Sequence, residues 1–199
     1  MRVLVACEFS GVVREAFRKR GHDAWSCDLI DSDDNSPYHI KDDVLNHLND
    51  GWDMMITHVP CTYMCNSGVS WLARNEVRWD ELQKSNEFFH KLWNAQIEKI
   101  AMENPIPHKY ALLPKYTQII QPYQFGHPES KATCLWLKNL PKLEPTKNVY
   151  DVMKKLPINQ AQRIHYTKPG KDRWKIRSRT FEGIAEAFAE QWGKIEVYA

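Results

Sequence analysis

The sequence has no apolar run long enough to cross a bilayer, so a membrane is not expected as a partner. Its opening residues, MRVLVACEFSG, are too briefly apolar for a secretory leader, and Glu8 follows the apolar part at once. They are expected to form a first strand. Internal repeats and low-complexity tracts are absent, which argues against repeat architectures and disordered linkers. Five cysteines (Cys7, Cys27, Cys61, Cys65, Cys134) are odd in number and scattered. A secreted disulfide framework is denser and usually even, so a reducing cytoplasm is expected. No stretch marks a boundary between folded domains. With 43% hydrophobic and 26% charged residues over 199 positions, the chain can bury one real core as a single domain.

The net charge of +2 conceals an asymmetry. Residues 1–60 carry 6 Lys/Arg against 11 Asp/Glu, while residues 108–180 carry 15 against 4. An acidic first part and a basic second part suggest different tasks. Residues 1–107 are expected to be a cofactor and catalytic core. Residues 108–199 are expected to be a basic, substrate-facing part with a closing C-terminal helix. A basic stretch fits a polyanion such as nucleic acid; a solvated basic surface is the plain alternative.

Strand and helix patterns alternate. RVLVA reads as a buried strand, and VVREAFRKRG as a helix with a basic last turn stopped by Gly21. HDAWSCDLI reads as a strand ending at Asp28. IKDDVLNHL fits a short strand or a helix start. DMMITHV is a strand, Asp80 to Lys99 has helical spacing, and KIAMENP is a strand ended by proline. YTQIIQPYQF is a later strand, and KATCLWLKNL suits either class. Pro141 to Lys175 reads as loop. SRTFEGIAEAFAEQWG reads as an amphipathic helix capped by Ser178 or Thr180, with Gly193 past its end. Together these predict an α/β fold with a mainly parallel sheet.

Three short motifs would meet at the carboxyl ends of the strands, where such sheets bind ligands. The first is Phe9-Ser10-Gly11 after strand one, followed by Asp28 at the end of strand two, placed to take ribose hydroxyls. Val12 and Val13 break the dinucleotide glycine pattern. That argues against a nicotinamide cofactor and for another adenosine-bearing one. The second motif is Pro60-Cys61 after DMMITHV. The third is Glu103-Asn104 in MENP. A thiol and a carboxyl group would face each other over the crevice.

This order resembles the cytosine-C5 DNA methyltransferases, most closely short phage-type members without a separate target-recognition domain. The resemblance implies a Rossmann-like, class I S-adenosylmethionine-dependent methyltransferase fold, S-adenosyl-L-methionine as cofactor and DNA as partner. It assigns Phe9, Ser10, Gly11, Asp28, Asp43 and Pro60 to the cofactor, with Asp42 competing with Asp43 by register. It assigns Cys61 as nucleophile and Glu103 as acid, the latter expected with a pKa raised by burial. Asn104, Lys131, Thr133, Arg177 and Arg179 are implied on the substrate side. The chain departs from the family in having His58-Val59-Pro60 where two prolines usually precede the cysteine. It also has Lys131 and Thr133 where an arginine pair usually stands.

Other readings stay open at this point. Cys61 suits a small buried filler, Phe9 the core, and Asp28 or Asp43 a solvated loop. Arg177 and Arg179 fit a solvated turn as well as phosphate contacts. Trp136 and Trp174 suit packing or base stacking. A zinc site from His58, Cys61 and Cys65 lacks a fourth ligand at usual spacing, and no metal is expected. The same site could modify a free cytosine nucleotide, RNA or an unusual base, or bind without turnover.

Overall fold

Val3, Leu4, Val5 and Ala6 have no exposed surface. A strand apolar on both faces needs a packed layer on each side, which is the mark of a parallel sheet between helices. The computed structural model describes residues 1–194, apart from the side chains of residues 67, 68 and 71, and it provides both layers around β1 (Arg2–Ala6). The last five positions of the expected 1–199 domain lie outside the described residues.

The sheet has seven strands in the order β3-β2-β1-β4-β5-β7-β6. They are β2 (Asp23–Asp28), β3 (His39–Lys41), β4 (Met54–His58), β5 (Lys99–Pro105), β6 (Gln118–Ile120) and β7 (Thr133–Lys138). Strands β1 to β5 are mutually parallel. β7 runs antiparallel to both β5 and β6. The fold is Rossmann-like α/β, as expected. The chain builds outward from β1 through β2 to β3, then returns to β4 on the other side. The switch point lies between β1 and β4, and sheets of this kind bind ligands at the carboxyl ends of the strands there.

Alternation along the strands divides the core. Val3, Val5, Met54, Ile56 and Leu135 face α1 (Val12–Arg18) and α6 (Glu182–Trp192), meeting Phe17, Ile184 and Phe188. Leu4, Met55, Ile100, Met102 and Trp136 face α2 (Val77–Trp93), meeting Leu82, Phe89 and Leu92. Each such side chain contributes about 1.5–3 kcal/mol by leaving water.

Several local expectations change. IKDDVLNHL forms both alternatives, β3 and then a 3-10 turn at Val44–Asn46. The helix expected over Asp80 to Lys99 runs over Val77–Trp93 instead, because Ile97 and Ile100 are buried in the link and in β5. KATCLWLKNL resolves as β7, with Cys134 and Trp136 in one layer and Leu135 in the other. The loop expected over Pro141 to Lys175 contains α3 (Tyr150–Met153), α4 (Ile158–Ala161) and the start of α5 (Arg173–Ser178). Helices of four to six residues are too short to show a period. Neither Ser178 nor Thr180 caps α6; Phe181 holds that position without a side-chain bond. The Ser178 hydroxyl instead donates to the Trp174 carbonyl at 2.8 Å, closing α5. Gly193 does follow the helix end.

Candidate active site

The turn after β1 is built around a buried acid. Glu8 is 3% exposed, and its carboxyl oxygens accept the N–H groups of Val13 at 2.7 Å and Arg14 at 3.1 Å. The first-turn donors of α1 are therefore already engaged from within. A ligand phosphate would have to displace Glu8 to use them. Burial pushes the Glu8 carboxyl above the usual range, against the charges of His58 and Arg14 and the two backbone donors. Gly11 has φ 69°, and a Cβ there would sit 2.3 Å from the Arg14 guanidinium. That guanidinium is fully buried, donates to the Ser26 hydroxyl at 2.8 Å and pairs with Asp34. Ser10 is buried. Phe9 is buried against Trp174 of α5, ring centroids 5.3 Å apart, with the Lys175 ammonium 5.6 Å from its ring.

Asp28 and Asp43 converge from different elements. Asp28 ends β2, and burial pushes its carboxyl upward despite the N–H groups of Ile30 and Leu29. Asp43 precedes the 3-10 turn and accepts the Leu45 N–H at 2.9 Å. Its competitor Asp42 is engaged by the His47 ring at 3.0 Å and by the Asn46 amide. Cys7 lies at the end of β1 with φ 57°. Burial pushes its thiol up, and the charges of Asp28, Cys27 and Asp43 add to that. Asp28 and Asp43 thus share one edge with Cys7. Leu29, beside Asp28, is 72% exposed. An exposed apolar side chain beside carboxylates suits adenosine, with an apolar face for the base and acceptors for ribose hydroxyls. S-adenosyl-L-methionine carries no phosphate, so Glu8 at the helix start does not oppose it. These residues fit that group.

Cys61 and Glu103 lie across the next two strand ends. β4 ends at His58, and Val59-Pro60 leads to Cys61, whose carbonyl accepts the N–H groups of Met64 and Cys65, both at 3.1 Å. Pro60 is exposed in this link. Cys65 is buried beside the Cys61 thiol and hydrogen-bonded to it. The Cys65 bond, burial and the Glu103 charge push the Cys61 thiol up; Lys131 opposes them. Asn104 is fully buried, and its amide donates to the Val59 carbonyl at 3.0 Å. Expected beside the substrate, it holds the loop that carries Cys61, and its Oδ1 is buried without a hydrogen-bond partner.

Parallel register places His58 directly opposite Glu103. The His58 Nδ1–H donates to Glu103 Oε2 at 3.0 Å, with side-chain exposures of 10% and 17%. Burial alone pushes Glu103 up, but the bond from His58 and the charges of Lys131 and His58 hold its carboxyl below the usual range. This corrects the expectation of a raised Glu103. Burial pushes His58 down, but Glu103 and Glu8 together raise it above an ordinary histidine.

The opposite wall comes from the basic part. Glu103, Lys131, Thr133, Thr180, Phe181 and Ile184 line one narrow cleft. The Lys131 ammonium donates to the Arg177 carbonyl at 3.1 Å, and the Thr133 hydroxyl to the Lys131 carbonyl at 3.1 Å. Arg179 lies 3.7 Å from Asp33 in an ion pair, and Lys175 reaches the same carboxylate at 3.3 Å. Arg179 is therefore held to the loop after β2, whereas Lys131 and Thr133 line the cleft with Glu103. Trp136 is buried in the α2 layer and its indole donates to the Pro114 carbonyl at 2.7 Å, so it packs rather than stacks on a ligand. Among the described residues, no group of three or more His, Cys, Asp or Glu could hold a metal ion, and no helix is long and apolar enough to cross a membrane.

Fold and site together define a Rossmann-like α/β protein with a thiol, a carboxyl group and a histidine at the carboxyl edge of its central strands. No protein-family model matches the chain, and no curated protein does. Among solved structures, 42 chains match. One is a protein provisionally described as a DNA modification methyltransferase encoded within an E. coli prophage, with 16% identity and a TM-score of 0.48. The match covers 79% of this chain and 55% of that one, so the chain spans about half of that protein's length.

Sequence reading gave no role to Cys7, Glu8 and Leu29 around the strand ends that carry Asp28 and Asp43, and gave His58 no place beside Glu103. A signal existed for His58: it ends an apolar strand, one position beyond Thr57.

Proposed function

We propose that the chain is an S-adenosylmethionine-dependent methyltransferase that forms 5-methylcytosine in DNA. The observation that supports this most is the pairing of sites at one sheet edge. The Glu103 charge bears on the Cys61 thiol there, and the Lys131 charge bears on both. The cofactor would supply an electrophilic methyl group, held by Asp28, Asp43 and the Phe9-Ser10-Gly11 turn. Carbon 5 of cytosine is a poor nucleophile on its own. Once its thiol proton has left to solvent water, Cys61 adds to carbon 6 as the thiolate and turns the ring into an enamine that can attack a methyl donor. Protonation at ring nitrogen 3, assigned to Glu103, neutralises the charge that develops. Asn104 fixes the Cys61 loop, while Lys131 and Thr133 face the base. In duplex DNA the base must first leave the stack. The basic segment before α6, with Arg177, is assigned to the phosphate backbone.

The test incubates the full chain with methyl-labelled cofactor and cytosine-containing DNA, then digests the product to nucleosides. Labelled 5-methylcytosine is expected. Cys61→Ser should abolish turnover and leave cofactor binding largely intact. DNA carrying 5-fluorocytosine should trap a covalent adduct at Cys61. Folded protein that yields neither product nor adduct on DNA, RNA or free cytosine nucleotides sinks the proposal.

A further inference from the structure

The bond from His58 and the charges of Lys131 and His58 hold the Glu103 carboxyl below its ordinary range and so favour its ionised form. Its one direct side-chain partner among the described residues is His58, 3.0 Å away. The other ring nitrogen of His58, Nε2, is buried without a hydrogen-bond partner. Charged groups face the ring from several elements: Glu8 from the turn after β1, Glu103 from β5, Lys131 from the segment before β7, and Asp28 from the end of β2. Two buried carboxyl groups and one histidine at a strand edge make a store for one proton.

We propose that His58 is a positioning residue for Glu103: it holds the Glu103 carboxylate at the sheet edge and supplies, through it, the proton that ring nitrogen 3 takes up as Cys61 adds. This rests on the cytosine-C5 reading above. As the Cys61 sulfur bonds to carbon 6, electron density moves to nitrogen 3. The Nδ1 proton of His58 passes to Glu103 Oε2, and a turn of the carboxyl group presents it to nitrogen 3. The ring nitrogen gains the proton, His58 ends neutral, and Glu103 ends as the carboxylate it was. After methyl transfer the carbon 5 proton leaves to solvent water as the Cys61–carbon 6 bond breaks, and the nitrogen 3 proton returns to His58 along the same path. No electron is gained or lost by the protein.

The test has two arms, both on the full chain. In the first, imidazole resonances of 15N-histidine-labelled protein are followed from about pH 5 to about pH 9, a span that brackets an ordinary histidine. His58 is assigned by its absence in His58→Gln, or in His58→Asn if the first variant does not fold. It is expected to titrate above an ordinary histidine, and at lower pH in Glu103→Gln. A midpoint unmoved by Glu103→Gln overturns the inference. In the second arm, kcat on cytosine DNA is measured against pH. Wild type should lose kcat on the alkaline side as His58 deprotonates. The His58 variant should lose about 100-fold in kcat with little change in KM, and should lack that alkaline limb. An unchanged kcat and an unchanged limb in the variant overturn the inference. Wild type that shows the pairing in the first arm but forms neither 5-methylcytosine nor adduct overturns the cytosine-C5 reading, and the proton-supply role falls with it.

Discussion

Asn104 on β5 and Val59 beyond β4 are joined by a 3.0 Å hydrogen bond from a side chain with no exposed surface. The bond ties the strand that carries Glu103 to the loop that carries Cys61. Asn104→Ala removes the donor and leaves the Val59 carbonyl unpaired. A loss of about 1–3 kcal/mol is expected, the cost of an orphaned buried polar group, read by urea denaturation. Under the proposed function, adduct formation on 5-fluorocytosine DNA should fall more than cofactor affinity does, since the Cys61 loop and not the Asp28–Asp43 edge is loosened.

The His58–Glu103 pair sets a stability window with two different edges. Glu103 lies below its ordinary 4.5, so its contribution is present above that value and is lost as pH falls through the lowered one. His58 lies above its ordinary 6.5, so its contribution is present below that value and is lost as pH rises through the raised one. The pair should therefore stabilise the fold most between pH 4.5 and 6.5. Subtracting the melting curve of His58→Gln from that of wild type isolates most of this contribution from that of Glu8. Breaking a buried pair costs about 3–5 kcal/mol. A difference that stays flat from acid to alkaline pH would contradict the pairing.

Gly11 serves Arg14 as well as the turn. Gly11→Ala puts a Cβ 2.3 Å from a buried guanidinium, at a backbone angle that L-residues disfavour by about 1–2 kcal/mol. The melting temperature should drop by at least about 2–4 °C. Asp34→Asn, which weakens the hold on Arg14, should soften that drop if the guanidinium can then move aside. Equal drops in both backgrounds would place the clash elsewhere.

The basic segment should make DNA affinity depend steeply on salt. Lys168, Lys171 and Arg173 are close together before and within α5. Each phosphate that an alanine substitution leaves without its cation should reduce the slope of log affinity against log salt by about 0.9 for duplex DNA. Cofactor affinity should not follow. A slope unchanged in the triple variant would assign DNA binding to another face.

The apolar architecture was legible because burial on both faces leaves runs such as RVLVA and DMMIT, which fit few alternatives. Cys61, Glu103 and Lys131 were readable as chemistry-bearing residues near strand ends. Their charges were not. His58 and Glu103 are 45 residues apart, and only the register of two parallel strands sets them side by side. Burial alone predicts a raised Glu103; the neighbour that reverses this was invisible without the sheet. Glu8 escaped for a similar reason, since its partners are backbone N–H groups that no side-chain pattern reports. The docking of Trp174 on Phe9 joins residues from opposite ends of the chain and leaves no periodic trace.

β7 completes the hydrogen bonding of β5 on the side away from β4. The seam between residues 1–107 and the basic remainder therefore runs through the sheet, between its fifth and sixth strands. Severing the chain after Pro107 would strip β5 of a neighbour and present a raw strand edge ready to pair with other chains. It would also let water reach Glu103 and His58. The two parts are not modules that evolution or an engineer could exchange by simple cut and join. Under the proposed function, new substrate preference would have to be written into β7, α5 and α6 in place, with the seam intact.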